Sequence, residues 1–61
     1  MIKRKLVEVS GRIMRETEKA VLVDINDEEV WLPLSQVEEI TRRPEGDTLL
    51  ITAWIAEQKG L

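Results

Sequence analysis

A single glycine interrupts the longest alternating stretch of this chain and constrains the fold more than any other residue. Residues 2–16 alternate apolar and polar side chains, with Val7 and Val9 on one face and Glu8 on the other, which is the period-2 pattern of a β-strand. Gly11 lies inside this stretch, and glycine within a strand usually marks a bulge or a sharp bend. A long strand bent at Gly11 can take part in two sheets, as small barrels require. A hairpin turn at Gly11 is the competing interpretation.

Four further strands are predicted downstream, separated by turn-forming residues. Val21, Val23 and Ile25 alternate and are β-branched, which favours a strand. Asn26-Asp27 and residues 44–47 are typical of turns. The predicted elements are strands over 2–16, 19–25, 29–34, 39–43 and 48–53, a helical turn over 35–38 from the Ser-x-x-Glu pattern, and a C-terminal helix over 53–59 that ends at Gly60.

Five short strands with a helical turn between the third and the fourth predict a mainly β fold in one domain of residues 1–61. The expected architecture is a small five-stranded barrel, OB-like or SH3-like, with a short C-terminal helix. A chain of 61 residues without cysteine is close to the lower limit for folding alone and has no disulfide to help it. Homo-oligomerisation is one remaining way to bury more surface.

The residue types present argue against catalysis and against a metal site. The chain has no histidine and no cysteine, and Ser10 and Ser35 fit a bent strand and a helix cap better than a nucleophile. The acidic stretch 24–28 fails the calcium-loop pattern, because Glu29 stands at the sixth position, where that pattern has glycine. We therefore expect a non-catalytic binding module without a metal or cofactor.

No stretch of the sequence predicts a membrane or export segment. No apolar run approaches the roughly 20 residues that span a bilayer. The basic start at residues 3–5 is followed directly by polar residues rather than by the apolar core of a signal peptide. The expected location is cytoplasmic.

The two tryptophans hold all the aromatic surface, because the chain has no Phe and no Tyr. Trp54 begins the predicted terminal helix and is expected to pack that helix onto the barrel. Strand alternation places Trp31 opposite Val30 and Leu32, where it is either covered by the helix or exposed at a binding face. An exposed tryptophan suits base stacking or a partner's groove.

Charge is distributed unevenly along the chain. Residues 1–23 carry six basic and three acidic side chains, whereas residues 24–61 carry three basic and nine acidic ones. The segregated cations predict a groove that binds phosphates, although charges that merely keep a small domain in solution would give the same pattern. With the stacking tryptophan, the predicted nucleic-acid-binding residues are Arg12, Arg15, Lys19, Trp31, Arg42 and Arg43.

Two functional hypotheses follow from these features. The first is an accessory protein that binds nucleic acid, with single-stranded DNA as the expected ligand. The second is a protein-interaction or assembly module that uses Trp31, Pro33 and the C-terminal helix as a partner or homodimer surface. The acidic net charge of −3 favours the second hypothesis.

Two segments resemble a group of known sequences. Residues 29–37, Glu-Val-Trp-Leu-Pro-Leu-Ser-Gln-Val, and residues 54–61, Trp-Ile-Ala-Glu-Gln-Lys-Gly-Leu, are similar to short uncharacterised proteins of phage and prokaryotic genomes with a "VWLPxSQ" strand and a "WIAEQKGL"-like tail. The resemblance implies a phage-type or accessory replication context. It carries over no activity and no functional residue.

Overall fold

The computed structural model describes residues 4–61, so the first two residues of the predicted strand 2–16 lie outside the described part. The mainly β prediction is confirmed within this range. The elements are strands β1 (Leu6–Glu16), β2 (Ala20–Ile25), β3 (Glu28–Pro33), β4 (Val37–Arg43) and β5 (Gly46–Thr52), a 3₁₀ turn (Leu34–Gln36) between β3 and β4, and helix α1 (Ala53–Gln58).

The five strands form one antiparallel sheet in the order β3-β2-β1-β5-β4. The first half of β1, from Leu6 to Gly11, pairs with β5, and the second half, from Arg12 to Glu16, pairs with β2. The prediction of one long strand through Gly11 is confirmed, and the alternative hairpin at Gly11 is wrong. The strand takes part in a single sheet rather than in two, and its two halves pair with different neighbours. Strands β3 and β4 lie at the two edges, and in the part described the sheet is not closed.

Gly11 allows a close approach of β2 at the point where β1 changes partner. A Cβ atom at this position would overlap the backbone carbonyl oxygen of Asp24 and lie 3.0 Å from side-chain carbons of Val23 and Ile25. Pairing with β5 ends at Gly11, opposite Asp47. The carboxylate of Asp47 then accepts a hydrogen bond from the N–H of Ile13, two residues further along β1, at 2.9 Å. The junction therefore has no room for a side chain, and an acidic side chain takes the place of a strand partner.

The turns between β2 and β3 and between β4 and β5 follow the predicted residues. Asn26 and Asp27 join β2 to β3 with φ angles of 53° and 65°, the left-handed pair that two-residue hairpin loops require. Pro44-Glu45 joins β4 to β5, which begins at Gly46 with φ 151°. The turn chemistry therefore sets the register of both hairpins.

The predicted helical turn over 35–38 is a 3₁₀ turn one residue earlier. It begins after Pro33, which has extended backbone angles, and no side chain caps it. The Ser-x-x-Glu interpretation is wrong because β4 begins at Val37, so Glu38 lies in a strand and cannot reach back as the third residue of a helix.

The core is aliphatic and is formed by side chains of β2, β3 and β5 together with Ile55 and Ala56 of α1. Its most buried members, Leu32, Leu49, Ile51, Val21 and Val23, come from three strands. Three partly buried side chains of β1 pack against this cluster: Val7, Val9 and Ile13. No helix within residues 4–61 is long and apolar enough to cross a membrane.

Helix α1 has capping interactions at both ends. The hydroxyl of Thr52 accepts from the Ile55 N–H at 3.2 Å. At the other end Gly60 has φ 72°, and the N–H groups of Gly60 and Leu61 donate to carbonyls of the last turn. This is the expected glycine stop.

The expectation that Trp54 packs α1 onto the sheet is wrong. Trp54 is 59% exposed, whereas Ile55 and Ala56 are 5% exposed and make the contact with the core. A six-residue helix buries only a narrow face, and these two residues occupy it. Trp54, which precedes them, is left on the outside.

Candidate functional site

The outer side of the three-stranded half of the sheet carries an exposed apolar strip. Trp31 on β3 lies opposite Leu22 on β2, and Leu22 lies opposite Arg15 on β1. Directly opposed residues project to the same face, so the three side chains form one row. Trp31 is 41% exposed, which decides between the two positions expected for it. It is not covered by the helix.

A register shift places an additional residue in this row. The ladder between β1 and β2 shifts between Ile13 and Arg15, so Met14 is an extra residue, as in a β-bulge. Met14 is 49% exposed, while Leu22 between the larger side chains is only 8% exposed. We define the outer face by the residues of this row and of the neighbouring Ala20–Pro33 pair: Met14, Arg15, Ala20, Leu22, Trp31 and Pro33.

The geometry of the outer face allows an aromatic ring and a cation to contact one ligand. Trp31 and Arg15 are separated by two strand spacings, about 10 Å. Within residues 4–61, Arg15 forms no ion pair. The guanidinium is therefore available to an anionic group of a ligand whose apolar or aromatic part lies on Trp31.

The row of residues next to Trp31, Leu22 and Arg15 is acidic at the end that lies on the edge strand β3. Arg12 lies opposite Asp24, and Asp24 lies opposite Glu29 on the edge strand. One guanidinium, at the β1 end, and two carboxylates give this row a formal charge of −1. A phosphate would therefore be attracted to the Arg15 end of the face and repelled from the Glu29 end.

Arg12 and Arg43 line a single polar groove beside the β2–β3 and β4–β5 turns. The groove has a volume of about 510 Å³. Its charged lining consists of these two arginines and four acidic residues, so its formal charge is −2; the four are Asp24, Asp27, Glu45 and Asp47. The structure thus brings two of the predicted cations together, but in a lining with more carboxylates than guanidiniums.

The remaining two predicted cations lie elsewhere. Arg42 forms an ion pair with Glu16 at the end of β1. Lys19 lies in the turn between β1 and β2, where its carbonyl accepts from the Leu34 N–H at 2.7 Å. The six predicted residues are therefore distributed over the outer face, the polar groove, an ion pair and a turn, and only Arg15 and Trp31 share one row.

Four residues of the outer face are not among the predicted nucleic-acid-binding residues: Met14, Ala20, Leu22 and Pro33. The sequence pattern places Met14 in an uninterrupted strand, and it indicates for Leu22 only a position opposite the inward valines. The bulge at Met14 has no local signal, because no glycine accompanies it.

Within residues 4–61 no group of three acidic side chains is arranged to hold a metal ion.

Comparison of the chain with protein-family models, with characterised proteins and with solved structures gives no significant match. The resemblance to short phage and prokaryotic proteins stays a prediction.

Proposed function

We propose that this protein is a non-catalytic module that binds single-stranded nucleic acid through its outer face. The observation that carries the proposal is the row of Trp31, Leu22 and Arg15 across three strands. An exposed tryptophan offers a stacking surface to any base, and a nearby cation contacts the backbone phosphate. Both groups stand on strands rather than on loops, which fixes their separation.

The other predicted contacts have weaker support. Arg12 and Arg43 line the groove in which carboxylates outnumber cations, Arg42 has an acidic partner, and Lys19 lies in a turn. Their contribution to phosphate binding stays a prediction that charge substitutions can test one residue at a time.

The proposal includes a barrel architecture of the SH3-like type. In a Greek-key arrangement such as the OB-fold, the fourth strand returns to lie beside the first. Here β5, and not β4, lies beside β1. The 3₁₀ turn that precedes β4 also supports the SH3-like version, together with the long strand β1 that pairs with both β2 and β5.

The test is a titration of intrinsic tryptophan fluorescence with oligothymidylate at several salt concentrations. We expect quenching, with an affinity that falls as salt rises, by about 0.7 decades per decade of salt for each phosphate contacted. Trp31→Ala should weaken binding roughly 5- to 150-fold, since a stacked base contributes about 1–3 kcal/mol. A folded protein that shows no quenching at low salt would overturn the proposal.

A matched pair of charge reversals locates the binding surface. Arg15→Glu removes the cation of the outer face, and Arg43→Glu removes a cation from the acidic groove, with the same change in net charge. We expect the first variant to lose much more affinity than the second. The opposite order would place the nucleic acid in the groove instead.

A protein partner is the second candidate function, and the apolar strip favours it. Met14, Trp31 and the Ala20–Pro33 pair give the outer face more apolar than charged surface, and such strips occur at protein interfaces. If a second copy of the chain binds there, the melting temperature will rise with protein concentration. Trp31→Ala should then abolish this dependence, and a melting temperature independent of concentration would rule out self-association.

A further inference from the structure

A second exposed tryptophan lies in a groove lined by cations. The groove has a volume of about 250 Å³, and its lining residues are Arg4, Lys5, Gln36, Thr52, Ala53 and Trp54. The lining residues carry two positive charges and no carboxylate, in contrast to the groove that holds Arg12 and Arg43. In a protein of net charge −3 this is a local excess of positive charge.

Hydrogen bonds hold the groove in shape. The Ala53 N–H donates to the carbonyl of Lys5 at 2.8 Å, which ties the start of α1 to the strand leading into β1. The guanidinium of Arg4 donates to the carbonyl of Ser35 at 3.2 Å and to Oε1 of Gln36 at 3.0 Å. The position of Trp54 relative to the cations is therefore set by the fold.

Among residues 4–61, no group accepts a hydrogen bond from the side-chain amide of Gln36. Its Oε1 accepts from Arg4 and also from the hydroxyl of Thr52 at 2.7 Å. With both acceptor positions used, the amide NH₂ remains as a donor. At the start of α1, the hydroxyl of Thr52 accepts from the Ile55 N–H, and the carbonyl of Lys5 accepts from the Ala53 N–H.

Lys5 is the cation of this groove that is free to bind an anion. Arg4 is 3.9 Å from the carboxylate of Glu38, which offsets part of its charge. Among residues 4–61, Lys5 has no such partner, and its side chain is exposed. A stacking surface, a free cation and an amide donor are the groups that recognise one nucleotide unit of a single strand.

We propose that the groove between Lys5 and Trp54 is a second nucleotide-binding site. A base stacks on Trp54, its phosphate contacts Lys5, and the amide of Gln36 donates to a base or phosphate oxygen. This inference rests on the proposed binding of single strands and adds a site on α1, separate from the outer face. A strand held by the protein then contacts it at two places.

Two variants with one tryptophan each separate the two sites. Trp31→Phe leaves Trp54 as the only tryptophan, and Trp54→Phe leaves Trp31. Phenylalanine retains an aromatic side chain and the fold while removing the signal. Each variant is titrated with oligothymidylate at low salt, after its circular dichroism has been checked against the parent protein.

We expect the fluorescence of the Trp31→Phe protein to be quenched, so that Trp54 itself reports binding. In this background Lys5→Glu should weaken the affinity about fivefold or more. Lys59→Glu is the matched control, because it makes the same charge change on an exposed lysine at the other end of α1. It should have a clearly smaller effect.

The outcomes distinguish this inference from the proposal on which it rests. Quenching of Trp31 without quenching of Trp54 would overturn the second site and leave the outer face as the binding surface. Quenching of Trp54 alone would support the groove as a binding site and would overturn the proposal that the outer face binds nucleic acid. If the fluorescence of neither tryptophan is quenched, both proposals are overturned. Equal effects of Lys5→Glu and Lys59→Glu would show that Lys5 makes no specific contact and would also overturn the site.

Discussion

The junction at Gly11 and the outer face at Trp31 both involve β1 and β2. They differ in whether their side chains and backbone groups have contact partners within the protein. At the junction, the backbone of β2 occupies the space beside Gly11, and the Ile13 N–H is bound by Asp47. On the outer face, Trp31 is 41% exposed and Arg15 has no ion-pair partner among residues 4–61.

This difference separates the residues that stabilise the fold from those available to a ligand. A substitution at the junction removes or crowds contacts that exist in the free protein, so it should lower the free energy of unfolding. If the outer face is the binding surface that we propose, a substitution there removes contacts that form only with a ligand, so it should lower affinity. Substitutions at the junction and at a surface ion pair test this division, beginning with the largest expected effect on stability.

Gly11→Ala should give the largest loss of stability. The new Cβ overlaps the carbonyl of Asp24, and relieving the overlap must shift the backbone of β1 or β2. We expect a loss of about 2–3 kcal/mol, a large share of the total for a domain of this size. Urea unfolding measures it. Ser10→Ala, one residue earlier and exposed on the other side of β1, should change stability by less than about 0.5 kcal/mol. Equal midpoints for the two variants would contradict the close approach.

Asp47→Ala should give an intermediate loss. The Ile13 N–H, which is partly buried, then has no acceptor, and leaving such a donor unpaired costs about 1–3 kcal/mol. Asp47→Asn keeps a side-chain oxygen and should lose less. Hydrogen exchange at the Ile13 amide provides a local measurement, because exchange should accelerate in the alanine variant more than in the asparagine variant. Unchanged exchange in both would mean that the carboxylate does not hold this N–H in solution.

The parts of the fold that can be predicted from the sequence are those controlled by local patterns. The alternation of Val21, Val23 and Ile25 correctly identifies the inward face of β2, and all three are buried. The Asn26-Asp27 pair correctly identifies a hairpin turn, because both residues tolerate positive φ. Gly11, which the sequence pattern singles out, coincides with the change of strand partner along β1, whereas the register shift lies at Met14.

The parts that cannot be predicted in this way depend on contacts between distant segments. The residues around Asp47 indicate a turn, and nothing near it in sequence indicates that it binds a backbone group 34 residues away. The size of Trp54 favours a place in the core, but Ile55 and Ala56 occupy the narrow buried face of α1. The row of Trp31, Leu22 and Arg15 depends on the strand register and on the shift at Met14, which no local pattern encodes.

The ion pair of Arg42 with Glu16 should give the smallest effect, and it is intermediate between the junction and the outer face. Each side chain has a partner, as at the junction, yet the side chains are 55% and 48% exposed, as on the outer face. A double-mutant cycle with alanine at both positions should give a coupling energy of about 0.2–1 kcal/mol, and the Arg43–Glu16 cycle should give none. A measurable coupling that falls with salt means that Arg42 is engaged in the free protein, so a phosphate must compete with Glu16 for it. A coupling of zero means that the guanidinium is free, and Arg42 then belongs with Arg15 among the cations available to a nucleic acid.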